Sequence, residues 1–369
     1  MGSIPLVDLA AQHAEIAAEV AVGWQEILDR NGFVGGPMVS AFESEYADFI
    51  GTAHCVGAGN GTDAIEIALR ALGVGPGDEC ILPANTFIAT AEAVSRAGAV
   101  PVLVDCMDDD TYLIDTAAVE AAMTSRTRAI LPVHLYGQAA AVELLVPIAE
   151  RAGACIVEDA AQSHGARRNG AHAGSLGDAA ATSFYPGKNL GAYGDAGAVL
   201  TDSAAAAARV RMIRDHGSPR KYEHDVVGFN SRMDAIQAVV LSAKLRRLDK
   251  WNEGRRAAAA RYDELLAGIP GVTLPRTMAG NEHVWHLYVV RVPDRDRILR
   301  ELEGAGVGAG IHYPVPVHLT GAYAGLGYAE GAFPVAERTS REILSLPIFA
   351  EITPDQQERV ALALGTAVR

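Results

Sequence analysis

The chain has 369 residues, of which 49% are hydrophobic and 21% are charged, and its formal net charge is −14. This composition is typical of a folded globular protein and excludes a disordered or fibrous one. The negative charge disfavours nucleic acid and membranes as partners, because both present anionic groups and no basic patch stands out in the sequence.

Short apolar runs alternate with helical patterns from about residue 54 to residue 201, which predicts βα units around a mostly parallel sheet. A helix over 62–73 follows the first strand, and a long helix is predicted over 233–265. Further strands near 285–292 and 343–347 indicate a smaller α+β region. The strands predicted in the sheet are 54–58, 79–83, 101–104, 128–133, 155–158, 180–184 and 196–201. We therefore predict an α/β fold with a large domain over 1–245 and a small C-terminal domain over 246–369.

The cysteines are spaced too widely and irregularly for a disulfide framework or a zinc site. They are Cys55, Cys80, Cys106 and Cys155. We expect free thiols in a cytoplasmic protein, since the N-terminus lacks a signal-peptide pattern. The uncharged segment 304–329 contains too many Gly, Pro and His residues for a membrane span, so we predict a loop-rich region there.

A glycine-rich turn over 57–64 links the first strand to the helix that follows it. Glycine lets a ligand approach the backbone, and the free N–H groups at a helix start near Thr62 favour a phosphate. A Rossmann-type nicotinamide site would need an acidic residue at the end of the next strand, but Asp78 precedes that strand. A turn in which Thr62 or Asp63 only caps the helix is the other alternative.

A second polar group, with Asp159, Gln162 and His164, follows the strand at 155–158. A carboxylate at a strand end can bind a metal, act as a base, pair with a protonated heterocycle, or simply cap a turn. A zinc site would need further His or Cys residues at close spacing, so we predict no metal.

Lys188 lies just beyond the strand at 180–184, in a loop of small, aromatic and polar residues. A lysine buried in such a loop shifts toward the neutral amine that forms Schiff bases, whereas a solvent-facing lysine is the alternative. Together the three motifs require a ligand with a phosphate, a ring nitrogen and an aldehyde. Pyridoxal phosphate has all three, so we predict it as the cofactor.

With these motifs the sequence resembles the DegT-type sugar nucleotide aminotransferases, which are fold type I pyridoxal phosphate enzymes. The resemblance covers essentially the whole chain, from the segments 4–9 and 33–37 to the segment 344–347. It implies a mostly parallel mixed sheet between helices in the large domain. It also implies that Lys188 binds the cofactor aldehyde, that Asp159 pairs with the pyridine nitrogen, and that Gln162 contacts the phenolic oxygen.

The resemblance implies further cofactor contacts. It places Gly61, Thr62 and Ser183 at the phosphate. The segment 83–90 matches one whose aromatic residue, here Phe87, stacks on the cofactor ring, with a core phenylalanine as the alternative.

Two more segments imply how the active site is completed. Asn230, in the segment 228–235, resembles a signature asparagine that reaches the phosphate of the neighbouring subunit, which implies a homodimer with shared active sites. Tyr313 and His318, in the segment 310–318, resemble residues of a loop that borders the sugar pocket.

The implied activity is a ping-pong transfer of an amino group from L-glutamate to a nucleotide-linked keto-deoxyhexose. The turn at 60–63 and the segment 83–87 resemble family members that act on 3-keto sugars, which favours amination at C3. The Ala-rich sequence resembles high-GC bacterial proteins, in which enzymes of this family commonly make deoxyaminosugars of natural products such as antibiotics from dTDP-sugars, so a dTDP-3-keto-6-deoxyhexose is the expected substrate. A 4-keto sugar nucleotide and a UDP-linked 3-keto sugar are alternatives. A sugar dehydratase would carry histidine in place of Lys188, and a cofactor-binding regulatory protein is the non-enzyme alternative.

Overall fold

The structure is a computed structural model that describes residues 2–369. Its helices are α1 Leu9–Arg30, α2 Gly36–Ile50, α3 Gly61–Ala71, α4 Ile88–Arg96, α5 Thr116–Ala122, α6 Val142–Ala152, α7 Ala204–Arg214, α8 Ala235–Leu245, α9 Leu248–Leu266, α10 Arg295–Gly304, α11 Pro334–Glu342 and α12 Pro354–Ala367. Its strands are β1 His54–Ala58, β2 Glu79–Pro83, β3 Val100–Val104, β4 Thr127–Ile130, β5 Cys155–Asp159, β6 Arg167–Arg168, β7 Ala171–His172, β8 Ala179–Ser183, β9 Gly197–Thr201, β10 Asn281–Glu282, β11 Tyr288–Arg291 and β12 Ile343–Leu346.

The main sheet contains the seven strands predicted for it, in the order β1-β9-β8-β5-β4-β2-β3. Strands β3, β2, β4, β5 and β8 pair in parallel, and β9 is antiparallel to both of its neighbours, β1 and β8. The predicted α/β class with a mostly parallel sheet is therefore confirmed. Strand β4 ends at Ile130, before the predicted residue 133, because Pro132 has no N–H to donate to a neighbouring strand.

Helix α3 shows how the large sheet is covered. Asn60 caps its start by accepting a hydrogen bond from the Asp63 N–H at 2.8 Å, and Gly73, with φ of +87°, follows its end. Its apolar residues, among them Ile67 and Leu69, are fully buried in the main core. Burying each such side chain stabilises the fold by about 1.5–3 kcal/mol.

The single long helix predicted over 233–265 is wrong, because the structure has two helices there, α8 and α9. The Arg247 N–H donates to the Lys244 carbonyl at 2.9 Å, which tightens the last turn of α8 and changes the direction of the chain. The turn lets Leu245 and Leu248 both be buried in one apolar cluster. Periodicity alone does not detect such a break, since the apolar spacing continues across it.

The C-terminal part of the chain forms its own apolar cluster, to which Tyr262, Tyr288 and Leu346 contribute from α9, β11 and β12. Ile4 is buried in the same cluster, and its N–H donates to the Gly306 carbonyl at 2.8 Å. The domain boundary at 245 stays a prediction, but the first residues of the chain pack with the C-terminal region. The segment between α10 and α11 contains only short 3-10 turns and loops, as predicted for this uncharged region.

The strand ends that precede the three motifs meet at one edge of the main sheet. Ala58, at the end of β1, and Ser183, at the end of β8, both pair with Gly197 of β9. Asp159, at the end of β5, pairs with Ala181 of β8. The loops that follow β1, β5 and β8 therefore start side by side.

Candidate active site

The first part of the site is the turn between β1 and α3. The leading N–H groups of a helix have no partner within it, so those of Gly61 and Thr62 are available to an anion. The turn is held by Asp63, whose carboxylate accepts hydrogen bonds from the Asn60 side chain at 3.0 Å and the Ser231 hydroxyl at 2.8 Å. The turn is therefore fixed by its own side chains and by the segment around Ser231.

Ser183 lies against the turn at very short range. A Cβ atom added at Gly61 would lie 2.5 Å from the Ser183 Cβ and 3.1 Å from its Oγ, so only glycine fits at position 61. A Cβ atom at Gly197 would lie 2.4 Å from the Asn60 carbonyl oxygen, so that strand position also requires glycine. This packing brings a hydroxyl next to the free N–H groups, which forms a cradle suited to a phosphate.

The carboxylate of Asp159 lies at the end of β5 and is only 6% exposed. Its Oδ2 accepts a hydrogen bond from the Thr90 hydroxyl at 2.7 Å, and its Oδ1 accepts one from the Ala161 N–H at 3.2 Å. Both bonds fix the orientation of the carboxylate.

Lys188 lies in the loop after β8, where its N–H donates to the Tyr185 carbonyl at 2.9 Å. Burial lowers the pKa of its amine to about 8, although the nearby Asp159 carboxylate acts in the opposite direction. About a tenth of the amine is then neutral at pH 7, against a negligible fraction for an ordinary lysine. The structure thus places a nucleophilic amine within electrostatic range of a buried carboxylate.

Three buried or half-buried histidines surround this amine. Burial lowers the pKa of His164 to about 3 and that of His312 to about 4, and the charge of Lys188 adds to both shifts. The pKa of His286 falls well below its usual value for the same two reasons. The three rings are therefore neutral at physiological pH and add no positive charge beside Lys188.

Gln162 connects two tyrosines at the site. Its Oε1 accepts a hydrogen bond from the Tyr136 N–H at 2.6 Å, and its Nε2 donates to the Tyr313 hydroxyl at 3.0 Å. The Tyr313 ring lies 5.1 Å, centroid to centroid, from the ring of Phe87, which is 50% exposed. Phe87 is therefore not a core residue, and its ring is open to a ligand.

The structure brings most of the predicted site residues together. They form two groups at the same sheet edge. The group around the Asp159 carboxylate contains Phe87, Asp159, Gln162, Lys188 and Tyr313. The group at the turn before α3 contains Gly61, Thr62 and Ser183.

The other two predicted site residues, Asn230 and His318, bond to residues outside these two groups. Asn230 is exposed, and its Oδ1 accepts a hydrogen bond from Arg232 at 2.9 Å. His318 is buried, and its Nε2 lies 3.0 Å from the Glu337 carboxylate.

The sequence did not single out several residues of the site. Thr86 lies just before α4 and Thr90 lies in its first turn, and both are within the segment 83–90 that the sequence singled out for Phe87 alone. Tyr136 has a φ of +60° and its hydroxyl donates to the His312 carbonyl, and no sequence signal predicts either property.

Within residues 2–369 no group of three or more His, Cys, Asp or Glu side chains could hold a metal ion. In the same part of the chain, every helix is too short or too polar to cross a membrane.

Comparison with known proteins first identifies the class. The crystal structure of DesV from Streptomyces venezuelae in complex with a ketimine intermediate superimposes with a TM-score of 0.97 at 47% identity, and the match covers 100% of both chains. The fold is that of a pyridoxal phosphate-dependent aminotransferase. The chain belongs to the DegT/DnrJ/EryC1/StrS aminotransferase family, whose model matches residues 14–365.

Two relatives show the kind of substrate used in this family. The dTDP-3-amino-3,4,6-trideoxy-α-D-glucose transaminase of Streptomyces venezuelae is 48% identical over 97% of this chain and 94% of its own. The UDP-N-acetyl-3-dehydro-α-D-glucosamine 3-aminotransferase of Acidithiobacillus ferrooxidans is 45% identical over 98% of this chain and 97% of its own. The predicted cofactor, enzyme class and family are therefore confirmed, and the chain is a sugar nucleotide aminotransferase.

The residues of the site fit the cofactor. The cradle at Gly61 and Ser183 offers N–H and hydroxyl donors to a phosphate, and its close packing leaves no room for a side chain at position 61. The Asp159 carboxylate suits a protonated ring nitrogen, and the amine of Lys188 has the lowered pKa that reaction with an aldehyde requires.

Proposed function

We propose that the protein transfers the amino group of L-glutamate to a dTDP-linked 3-keto-6-deoxyhexose in deoxyaminosugar biosynthesis. The observation that carries the chemistry is the buried amine of Lys188, with its pKa lowered to about 8, within range of the Asp159 carboxylate. The choice of sugar rests on the relatives, since the two enzymes described above are both named for amination at sugar C3.

The surroundings of Lys188, Asp159 and Gln162 support the role proposed for each of them. Lys188 binds the cofactor aldehyde at rest and, once released, carries a proton on its Nζ to and from the substrate Cα. When bound, the cofactor supplies an electron sink for the negative charge left when that proton is removed. Asp159 keeps the ring nitrogen protonated, and Gln162, held by Tyr136, donates toward the phenolic oxygen.

The remaining proposed contacts hold the cofactor and the sugar. Gly61, Thr62 and Ser183 bind the phosphate, and Phe87 stacks on the ring. Asn230 reaches the phosphate of the partner subunit in a homodimer, which agrees with its exposed position.

Tyr313 and His318 border the sugar pocket in this proposal. Tyr313 lies beside the exposed ring of Phe87, whereas His318 is buried against Glu337. We therefore expect Tyr313 to contact the sugar more directly than His318 does.

The test is the absorption spectrum of the purified holoenzyme before and after L-glutamate, followed by addition of a keto sugar nucleotide. We expect glutamate to remove the band of the resting cofactor and to yield 2-oxoglutarate, and a dTDP-3-keto-6-deoxyhexose to restore the band. Restoration only by a dTDP-4-keto or a UDP-linked 3-keto sugar would replace the proposed substrate. No loss of the band with glutamate would overturn the proposed donor.

The UDP-linked 3-keto sugar is the second candidate, because the relative from Acidithiobacillus ferrooxidans is named for such a substrate. Parallel kcat/KM measurements with dTDP- and UDP-linked 3-keto sugars would separate the two candidates. A higher value for the UDP sugar would favour the second one.

A further inference from the structure

Two threonine hydroxyls lie in line behind the Asp159 carboxylate. Thr90, in the first turn of α4, is 0% exposed, and Thr86, just before that helix, is 2% exposed. The Thr86 and Thr90 Oγ1 atoms are 2.8 Å apart, and the Thr90 Oγ1 is 2.7 Å from the Asp159 Oδ2. The three side chains form a continuous buried row of hydrogen bonds.

Hydrogen counting fixes the direction of these bonds. An ionised carboxylate has no hydrogen to donate, so the single hydroxyl hydrogen of Thr90 must go to Asp159. The Thr90 oxygen can then only accept, and the hydroxyl of Thr86 donates to it. The row therefore runs from Thr86 through Thr90 to the Oδ2 atom of Asp159.

The shape of the Thr90 side chain and the bonds to both Asp159 oxygens make this arrangement rigid. A threonine in a helix often turns its hydroxyl toward a carbonyl of the preceding turn, but that of Thr90 is bonded to Asp159 instead. Its branched Cβ restricts the rotamers of the side chain, so the hydroxyl has little freedom to leave the carboxylate. The second oxygen of Asp159 is held by the Ala161 N–H at 3.2 Å, so the carboxylate is fixed at both oxygens.

We propose that Thr90, supported by Thr86, is a positioning residue that holds the Asp159 carboxylate aimed at the cofactor ring nitrogen. This inference rests on the proposed role of Asp159. The same short segment contains Phe87, which we propose to contact the ring face. One segment thus acts on the ring directly through Phe87 and on its nitrogen through Asp159.

The experiment uses holoenzyme reconstituted with cofactor labelled with ¹⁵N at the ring nitrogen. The variant Thr90→Val keeps the shape of the side chain but removes the hydroxyl, and Thr90→Ser is the matched control that keeps it. We expect Thr90→Val to move the ¹⁵N signal toward the unprotonated position. We also expect it to weaken cofactor binding and to lower kcat with glutamate, each by about 10-fold, with little change in KM, since a bond to a charged group is lost.

A graded series sharpens the test. Thr86→Val removes only the donor to Thr90, so we expect an effect of about 3-fold on kcat and cofactor binding. Thr90→Ser should restore the ¹⁵N signal and most of the rate. This order of effects would show that Thr86 and Thr90 act through their hydrogen bonds to Asp159 rather than through packing.

Two outcomes would overturn the proposal. One is an unchanged ¹⁵N signal in Thr90→Val when Asp159→Asn alters it, because Asp159 would then act without Thr90. The other is a loss of rate in Thr90→Val that comes with a lower melting temperature of the cofactor-free protein and an unchanged ¹⁵N signal. That combination would show that Thr90 has only a structural role. If Asp159→Asn itself leaves the signal and the rate unchanged, the proposed role of Asp159 fails first.

Discussion

The surroundings of Asp159 and those of Asn230 differ in how completely one chain builds them. Asp159 is buried, and both of its oxygens are held by donors from the same chain, Thr90 and Ala161. Asn230 is exposed, and its side chain accepts a hydrogen bond from Arg232, itself part of an exposed ion pair with Asp215. The polar groups around Asp159 therefore find their partners within one chain, whereas those around Asn230 face the surface.

This difference agrees with the proposal that two subunits share the site. Groups that set the electronic state of a cofactor must be rigid and shielded from water, which the interior of one chain provides. A residue that completes a neighbour's site must lie on the surface until the two chains meet. The exposed apolar residues Tyr222 and Val227, which precede Asn230 in sequence, agree with a contact surface in this region.

The largest effect is expected from Lys188→Ala, which removes the only lysine in the group around Asp159. Transamination should fall by about 10³-fold or more, because both the covalent attachment and the proton carrier are lost. Steady-state assays with glutamate and a keto sugar measure this, and a melting curve of the cofactor-free variant checks that it folds. Turnover at the level of the unmodified enzyme would show that another group does the chemistry.

Asp159→Asn should reduce kcat by about 10²-fold, since it keeps the shape of the side chain but removes the charge that we propose holds the ring nitrogen protonated. Asp178→Asn is a useful comparison, because Asp178 is also a strand-associated carboxylate of the main sheet but binds the Ile156 N–H. Its kcat should stay close to that of the unmodified enzyme. A rate near normal for Asp159→Asn would mean that a different carboxylate serves the cofactor.

Asn230→Ala should weaken cofactor binding by about 10-fold, the loss of one bond to a charged phosphate. Mixing this variant with Lys188→Ala tests whether Asn230 acts across subunits. A mixed dimer would contain one site with both native residues. At a cofactor concentration too low to load the Asn230→Ala variant, the activity of the mixture should therefore rise above the sum of the two variants assayed separately. If the activity of the mixture equals that sum, Asn230 acts within its own chain or not at all.

The pH dependence of cofactor uptake tests whether the pKa of the Lys188 amine is lowered. Because its pKa is lowered to about 8, the neutral fraction of the amine rises about 10-fold per pH unit below 8 and levels off above it. The rate of covalent cofactor uptake by the cofactor-free protein, followed by absorbance, should rise the same way. Pyridoxine phosphate, which lacks the aldehyde, is the control and should bind without this dependence. A rate that keeps rising to pH 10 would indicate an ordinary lysine.

The smallest effects are expected at the border of the sugar pocket. Tyr313→Phe should raise KM for the sugar nucleotide by about 3-fold, since a single hydroxyl is removed. His318→Gln should change KM less and lower the free energy of unfolding by about 1 kcal/mol, because its buried bond to Glu337 is disturbed. A larger KM effect at His318 than at Tyr313 would reverse this order.

Sequence alone predicted the seven strands of the main sheet, the glycine-rich turn at Gly61 and the polar residues that follow β5 and β8. These features are local, because strand periodicity, glycine turns and the position of Asp159 or Lys188 just after an apolar run are all visible within short windows. The resemblance to a family then assigned roles to these residues. The family and the cofactor have been confirmed, whereas the individual roles are for the experiments above to test.

Tertiary structure decided what these residues touch. The contact of Thr90 with Asp159 joins positions far apart in sequence, as do the bonds of Gln162 to Tyr136 and Tyr313. The break between α8 and α9 also depends on packing rather than on apolar spacing. The lowered pKa of Lys188 is of the same kind, because it arises from burial by side chains brought in from distant segments. A sequence shows which groups are available, but only the folded chain determines which of them lose water and which meet a partner.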